Sequence, residues 1–212
     1  MSQQSDFGRL FRKHSYGDQD PIENYTSEAL AIAIEHDDGS MRVALKSIRW
    51  PRSTPFDPDD VVQIRPKPQH FLPAADLAPD GEPRKVRYGY VDLMLTLTRA
   101  NGGCCTAWVE VKIDTGEHGN PLDVYADHAG SDPGRPCLFT LSKWEVRPAE
   151  RHPKGVDIGW LSWKDLAAAI EQTPGSDSRW ADLLSFFEEE GIAWRSLPQD
   201  RVDTEAHIRV VG

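Results

Sequence analysis

The sequence predicts an α/β domain, and three observations carry that expectation. Two alternating runs flank a turn within residues 90–113, stretches of helical apolar spacing lie on either side, and 212 residues suit one substantial core. A single domain over 1–212 is expected, with residues 1–22 as an irregular N-terminal arm, 51–86 as a proline-rich loop, and 143–212 completing the domain with a strand and helices. Hydrophobic content of 39% with 9% aromatics is that of a folded chain rather than a disordered one.

Taken in order, a first helix is expected from about Thr26 to His36, where Leu30, Ile34 and the intervening alanines form an apolar stripe and Asp37-Asp38-Gly39-Ser40 ends it. Met41 to Ile48 alternates as a first strand. Pro51 to Pro83 holds eight of the sixteen prolines, a density that excludes continuous helix or central strand and predicts a long loop over the domain. Asn120 as cap and Pro121 at the first helical position open another helix, with Gly130 as its stop. Buried strands are expected at Pro136–Leu141 and Val156–Trp163, then helices at Lys164–Gln172 and Ser178–Glu190. Trp160, Trp163, Trp180, Phe186 and Phe187 form a packing layer over the sheet.

The chemistry lies in the hairpin. From Tyr90 to Thr98, Asp92, Met94, Thr96 and Thr98 alternate with Val91, Leu93, Leu95 and Leu97. From Cys104 to Ile113, Val109, Val111 and Ile113 share one face, and Trp108, Glu110 and Lys112 the other. Arg99-Ala100-Asn101-Gly102-Gly103 between them has hairpin composition. If Thr98 pairs with Cys104, Asp92 falls opposite Glu110, with Cβ atoms about 4.5–5.5 Å apart. Carboxylates that close repel unless a cation or a shared proton relieves them. Mg2+ suits such a place, because it takes oxygen ligands and is held by one or two carboxylates, waters and substrate phosphate. Lys112, on the same face, would orient or deprotonate an attacking water or offset phosphate charge. The competing reading is a solvated cluster on a surface hairpin.

Asp92 followed by Glu110-x-Lys112 resembles the motif of the PD-(D/E)XK nuclease superfamily, although Val91 stands where that motif has proline. Glu23-Asn24-Tyr25-Thr26-Ser27-Glu28 resembles the opening of many bacterial members, and Gly119 to Tyr125 resembles the helix after the lysine, with Pro121 where a Gln often lies. The resemblance spans roughly residues 20–142. It implies a restriction-endonuclease-like core of helix, three antiparallel strands, helix and further strand, in a mixed sheet flanked by helices. It also implies Asp92, Glu110 and Lys112 as catalytic residues and Asp92, Glu110 and Glu23 as ligands of Mg2+ (or Mn2+); Tyr125, with the basic cluster Arg84, Lys85 and Arg87 that the sequence places beside the hairpin, is an expected nucleic-acid contact. The activity implied is metal-dependent phosphodiester hydrolysis, in DNA first of all, in phage defence or DNA repair. Two other readings stand beside it: an inactive nucleic-acid-binding or interaction module of the same fold, and a hydrolase of another phosphorylated substrate.

A net charge of −10 argues against nucleic-acid binding, since phosphate contacts dominate that affinity. An empty carboxylate site contributes to that charge, and a bound cation reverses its local field. Basic residues also cluster at Arg9, Arg12, Lys13 and His14, at Arg65 and Lys67, and at Arg84, Lys85 and Arg87. Dependence on a homo-oligomer or a partner protein of a larger system is expected of so acidic a chain. No run of ~18–20 apolar residues or leader-like N-terminus is present, and three cysteines lack metal-ligand spacing, so a cytoplasmic protein with reduced thiols and no membrane contact is expected. No Walker-type glycine loop predicts ATP use.

Overall fold

The computed structural model describes residue 7 and residues 21–48, 50, 57–73, 75–77, 84–86, 89–113, 121–132, 134, 136–143, 150–151 and 155–193. Helices α1 (Pro21–His36) and α2 (Gly39–Ser47) come first. A single 3-10 turn at Pro58–Asp60 leads into β1 (Val61–Leu72), followed by the short β2 (Ala75–Leu77) and β3 (Arg84–Val86). The hairpin strands are β4 (Gly89–Arg99) and β5 (Cys104–Lys112), then come α3 (Pro121–Ser131), β6 (Cys137–Ser142), β7 (Glu150–Arg151) and β8 (Asp157–Ser162). Helices α4 (Trp163–Gln172) and α5 (Ser178–Glu189) end the described chain.

Six strands form one mixed sheet in the order β1-β4-β5-β6-β8-β7; β2 and β3 pair separately. β1, β4 and β5 are antiparallel, and β5, β6 and β8 are parallel, with α3 making the crossover from β5 to β6. The hairpin follows its local chemistry: Thr98 pairs with Cys104, Gly102 takes φ +80° in the turn, and Asn101 Oδ1 accepts the Gly103 N–H at 2.9 Å.

Alternation sorts the sheet into two faces. Leu93, Leu95, Leu97, Val109, Val111, Phe139 and Leu141 are buried in one cluster with residues of α1, α2, α4 and α5. Trp108, Leu138, Ile158 and Trp160 point the other way and pack with Leu122, Tyr125, Ala126 and Ala129 of α3. Those four α3 residues recur at the helical period, so one stripe faces the sheet. Gly89 lets α3 come close, since a Cβ there would lie 3.3 Å from Val124 Cγ1. α4 begins at Ser162, whose Oγ accepts the Asp165 N–H at 3.0 Å, and α5 at Asp177, which accepts the Arg179 N–H at 2.8 Å. The expected aromatic layer forms in part: Trp163, Trp180, Phe186 and Phe187 join the first cluster, whereas Trp160 lies on the opposite face in the second.

Several expectations are corrected. Met41–Ile48 is not a strand but α2 and its C-cap: Met41, Ala44, Leu45 and Ile48 are all buried, a spacing that is helical rather than alternating. The residues 51–86 are not one loop, because β1 lies among them. Pro66 and Pro68 fit because β1 is the edge of the sheet and they sit two residues apart, so their missing N–H positions share one edge and can both face away from β4. The first helix starts at Pro21, not Thr26, with proline at the favoured first position. The arm is therefore not irregular throughout. Pro21 and Ile22 are helical, and Phe7 is buried in the core with its N–H donating to Asp182 Oδ2 at 3.0 Å. Gly130 lies within α3 rather than ending it, and Asn120 lies outside the described residues. Val91 packs with the α3 cluster, not with Leu93, at the point where the hairpin ladder ends.

Candidate active site

The hairpin register runs from Thr98–Cys104 to Leu93–Val109 and stops there, one residue short of Asp92 and Glu110. Both strands continue, β4 paired to β1 as far as Gly89 and β5 paired to β6 as far as Lys112. The sheet therefore splits between β4 and β5, and the split exposes backbone donors that the ladder would have used. Asp92 reaches across it: its Oδ2 accepts the Val111 N–H at 2.8 Å. A carboxylate thus stands where the strands lose their mutual hydrogen bonds, at the carboxyl end of the parallel strands.

Glu110 and Lys112 leave β5 on one face, as the period of two requires, and Lys112 Nζ lies 2.8 Å from Glu110 Oε1. Glu23, in the first turn of α1, reaches the same ammonium with Oε2 at 3.3 Å, and its Oε1 accepts the Ile113 N–H at 3.2 Å. The end of β5 is fixed further by Trp163, whose Nε1 donates to the Lys112 carbonyl at 2.9 Å. The three acids and the lysine expected from the sequence are brought together, from three elements.

Electrostatics follow from burial. Glu110 is only 4% exposed, and its Oε2 has no hydrogen-bond partner among the described residues. Burial first, then the Glu110 charge, push the Asp92 carboxyl up to about 8, against the Val111 N–H and the Lys112 charge. Burial and the neighbouring Glu110 charge thus work against ionising both carboxylates together. Burial acts to lower the Lys112 pKa, but the charge and hydrogen bond of Glu110, followed by the charges of Glu23 and Asp92, raise it above the ordinary lysine value. The ammonium stays charged, which makes it a donor and a counter-charge rather than a base.

Tyr125 is buried in the second cluster and its hydroxyl donates to the Tyr90 carbonyl, so its side chain is not a surface contact for nucleic acid. Its apolar neighbours on α3 turn it toward the sheet. Burial, then the Glu110 and Asp92 charges, raise its pKa, which places its ring beside the acids. Arg84 and Lys85 lie in the separate β2–β3 ladder, opposite Leu77 and Asp76, while Arg87 lies outside the described residues.

Two residues that the sequence reading did not single out stand at the site. Thr140, paired with Glu110 across the parallel ladder, is buried with an Oγ1 that has no partner among the described residues. Its signal was a polar residue within the apolar run Leu138-Phe139-Thr140-Leu141. Gln69, which falls opposite Asp92 in the β1–β4 register, takes φ +48° and donates from Nε2 to Asn24 Oδ1 at 3.1 Å. A non-glycine residue in that region stores strain, which is commonest beside functional groups.

The donors suit a hard divalent cation. Glu110 Oε2 and Thr140 Oγ1 are buried oxygens lacking partners among the described residues, and burial and the Glu110 charge raise the Asp92 pKa, a penalty that a bound cation would relieve. Among the described residues no group of three or more His, Cys, Asp or Glu is arranged to hold a metal, because Glu23 is turned to Lys112 and Ile113. Two carboxylates completed by water and substrate oxygens remain within the usual coordination of Mg2+. No described helix is long and apolar enough to cross a membrane. No family model, curated protein or solved structure matches the chain.

Proposed function

We propose that this protein is a Mg2+- or Mn2+-dependent hydrolase of phosphodiester bonds in nucleic acid, DNA first of all, with a restriction-endonuclease-like core. One observation carries the reading: a buried Glu110 oxygen without a partner among the described residues sits beside the Lys112 ammonium, where β4 and β5 part and Asp92 reaches across to the Val111 N–H. The order of helix, antiparallel three-strand unit, helix and parallel strand supports it, as that is the order the resemblance implies.

In this reading Asp92 and Glu110 would hold the ion through their carboxylate oxygens. A bound Mg2+ would polarise the phosphodiester and lower the pKa of a water. Lys112, already an ammonium, orients the attacking water and offsets charge developing on the phosphate. Glu23 positions Lys112 and the end of β5 rather than serving as a direct ligand, since both its oxygens are engaged.

The test is incubation of single-stranded, duplex and supercoiled DNA and of RNA with Mn2+, for wild type and Lys112→Ala, together with a thermal-shift titration of Mg2+ and Mn2+. The expected result is cleavage by wild type alone and a rise in melting temperature with either ion. Equal activity in both proteins overturns the role of Lys112. Absence of ion binding and of cleavage favours a non-catalytic module of the same fold.

A further inference from the structure

We propose that Thr140 is a positioning residue for the ion: its hydroxyl holds a water ligand of a divalent cation bound to Glu110 Oε2. The inference rests on the hydrolase reading for the ion alone, and on the β5–β6 register for the residue.

Two ladders place Thr140. It pairs with Glu110 of β5 on one side and with Trp160 of β8 on the other, both in parallel. Leu138 and Trp160 belong to the cluster under α3, whereas Phe139 and Leu141 belong to the opposite one. The period of two therefore sends the Thr140 side chain to the α3 face. On β5, Trp108 lies in the same cluster and Val109 and Val111 in the opposite one, which puts Glu110 on the α3 face as well. Alternation is unbroken along both strands there. Neighbouring strands lie about 4.7–4.9 Å apart, so the two side chains stand next to each other.

Thr140 and Glu110 are 3% and 4% exposed, and each keeps an oxygen, Oγ1 and Oε2, without a hydrogen-bond partner among the described residues. Packing does not ask for this hydroxyl. Valine has the same shape, forms strands as well, and would leave no unpaired oxygen in the run Leu138-Phe139-Thr140-Leu141. Two such deficits side by side point to one shared partner. The side-chain lengths say what kind. The threonine hydroxyl sits directly on Cβ, whereas the glutamate carboxylate ends a longer chain, so a cation on Oε2 lies further from the sheet than Oγ1. Mg2+ dehydrates reluctantly and keeps several waters. One of them fits between, bound to the ion and donating to Oγ1, and a buried water needs at least those polar neighbours.

The experiment is calorimetric titration of Mg2+ and of Mn2+ into the full chain as wild type, Thr140→Val and Thr140→Ser, with the melting temperature of each taken in EDTA. Thr140→Val should melt in EDTA at or above wild type, since an unpaired hydroxyl is removed. It should nevertheless bind Mg2+ roughly 10- to 100-fold more weakly, the scale of losing an outer-shell partner. Thr140→Ser should do the opposite, melting lower for want of a buried methyl but keeping wild-type affinity. A residue that only packs would not give that crossing. Unchanged affinity in Thr140→Val, an equal loss of affinity in Thr140→Ser, a Thr140→Val protein that does not fold, or a wild type that binds neither ion overturns the role. Ion binding that depends on the hydroxyl, without cleavage by wild type, keeps the role and retires the hydrolase reading. Cleavage by wild type with ion binding indifferent to the hydroxyl does the reverse.

Discussion

The two faces of the sheet are built on opposite principles. One lies under α1, α2, α4 and α5 and is filled mainly by apolar side chains, with buried hydroxyls of Thr26, Ser27 and Ser40 on the helices above it. The other lies under α3 and carries Glu110 and Lys112 beside Trp108, with Asp92 at the split between β4 and β5 and with a buried glutamate oxygen and a buried threonine hydroxyl lacking partners among the described residues. A satisfied apolar layer adds stability with each buried group, whereas a half-satisfied polar layer subtracts from it. The comparison teaches that the first face can hold the fold while the second departs from what folding alone would select. Glu23 joins them, reaching from the helix layer of the first face to the lysine of the second, and Trp163 of the same layer donates to the Lys112 carbonyl.

Substitutions should separate the two. The largest loss of stability is expected from Trp180→Ala on the helix layer, about 3–5 kcal/mol, because the ring is fully buried and its Nε1 donates to the Asp37 carbonyl at 2.7 Å. Urea unfolding measures it, and a loss below about 1 kcal/mol would show that stability does not reside on this face. Lys112→Ala should reduce cleavage by about 100- to 1,000-fold, the scale of removing one preorganised donor, while circular dichroism shows the fold unchanged. Unfolding of this variant would show that the polar face is structural after all.

A smaller effect is expected from Gly159→Ala, roughly 1–3 kcal/mol by overpacking, since a Cβ there would lie 2.7 Å from Ile48 Cγ2 and 2.9 Å from the Trp50 ring. Its Mg2+ response should match that of wild type in a thermal-shift titration.

A pH dependence has the most specific sign. Asp92 titrates near 8 in the folded protein against 3.8 ordinarily, so between those values the folded state binds more protons than the unfolded. Its contribution is full below pH 3.8 and is lost as pH rises through about 8. Without divalent ions, wild type should therefore lose melting temperature from pH 5.5 to 8.5 more steeply than Asp92→Asn. Mg2+ should flatten the wild-type curve by favouring the ionised carboxylate. Parallel curves for the two proteins would place the proton elsewhere.

What the sequence revealed of all this depended on the range over which each signal acts. The hairpin was legible to the residue because alternation and turn chemistry are local, and its register carried Glu110 and Lys112 to one face. The C-terminal strands and helices were legible for the same reason. Met41–Ile48 was misread because its short apolar pattern admits either period, and only packing against the sheet decides for the helix. β1 was hidden because proline forbids a strand only where both edges are paired, and edge position is a property of the whole sheet. In the site, the residue types were visible but their division of labour was not. That Glu23 would turn to Lys112 and Ile113, and Asp92 to the Val111 N–H, follows from the splitting of two strands, which no local pattern records.

The prolines of β1 also govern how copies of this chain can meet. An unpaired sheet edge invites strand addition, the route by which many proteins dimerise and by which others aggregate. Pro66 and Pro68 remove two donors from the outward side of one edge, and the other edge is β7, only two residues long. A strand added along β1 would leave those two positions unbonded, and the described part of β7 offers only two residues. The cleft between β4 and β5 stays at the interior of the sheet.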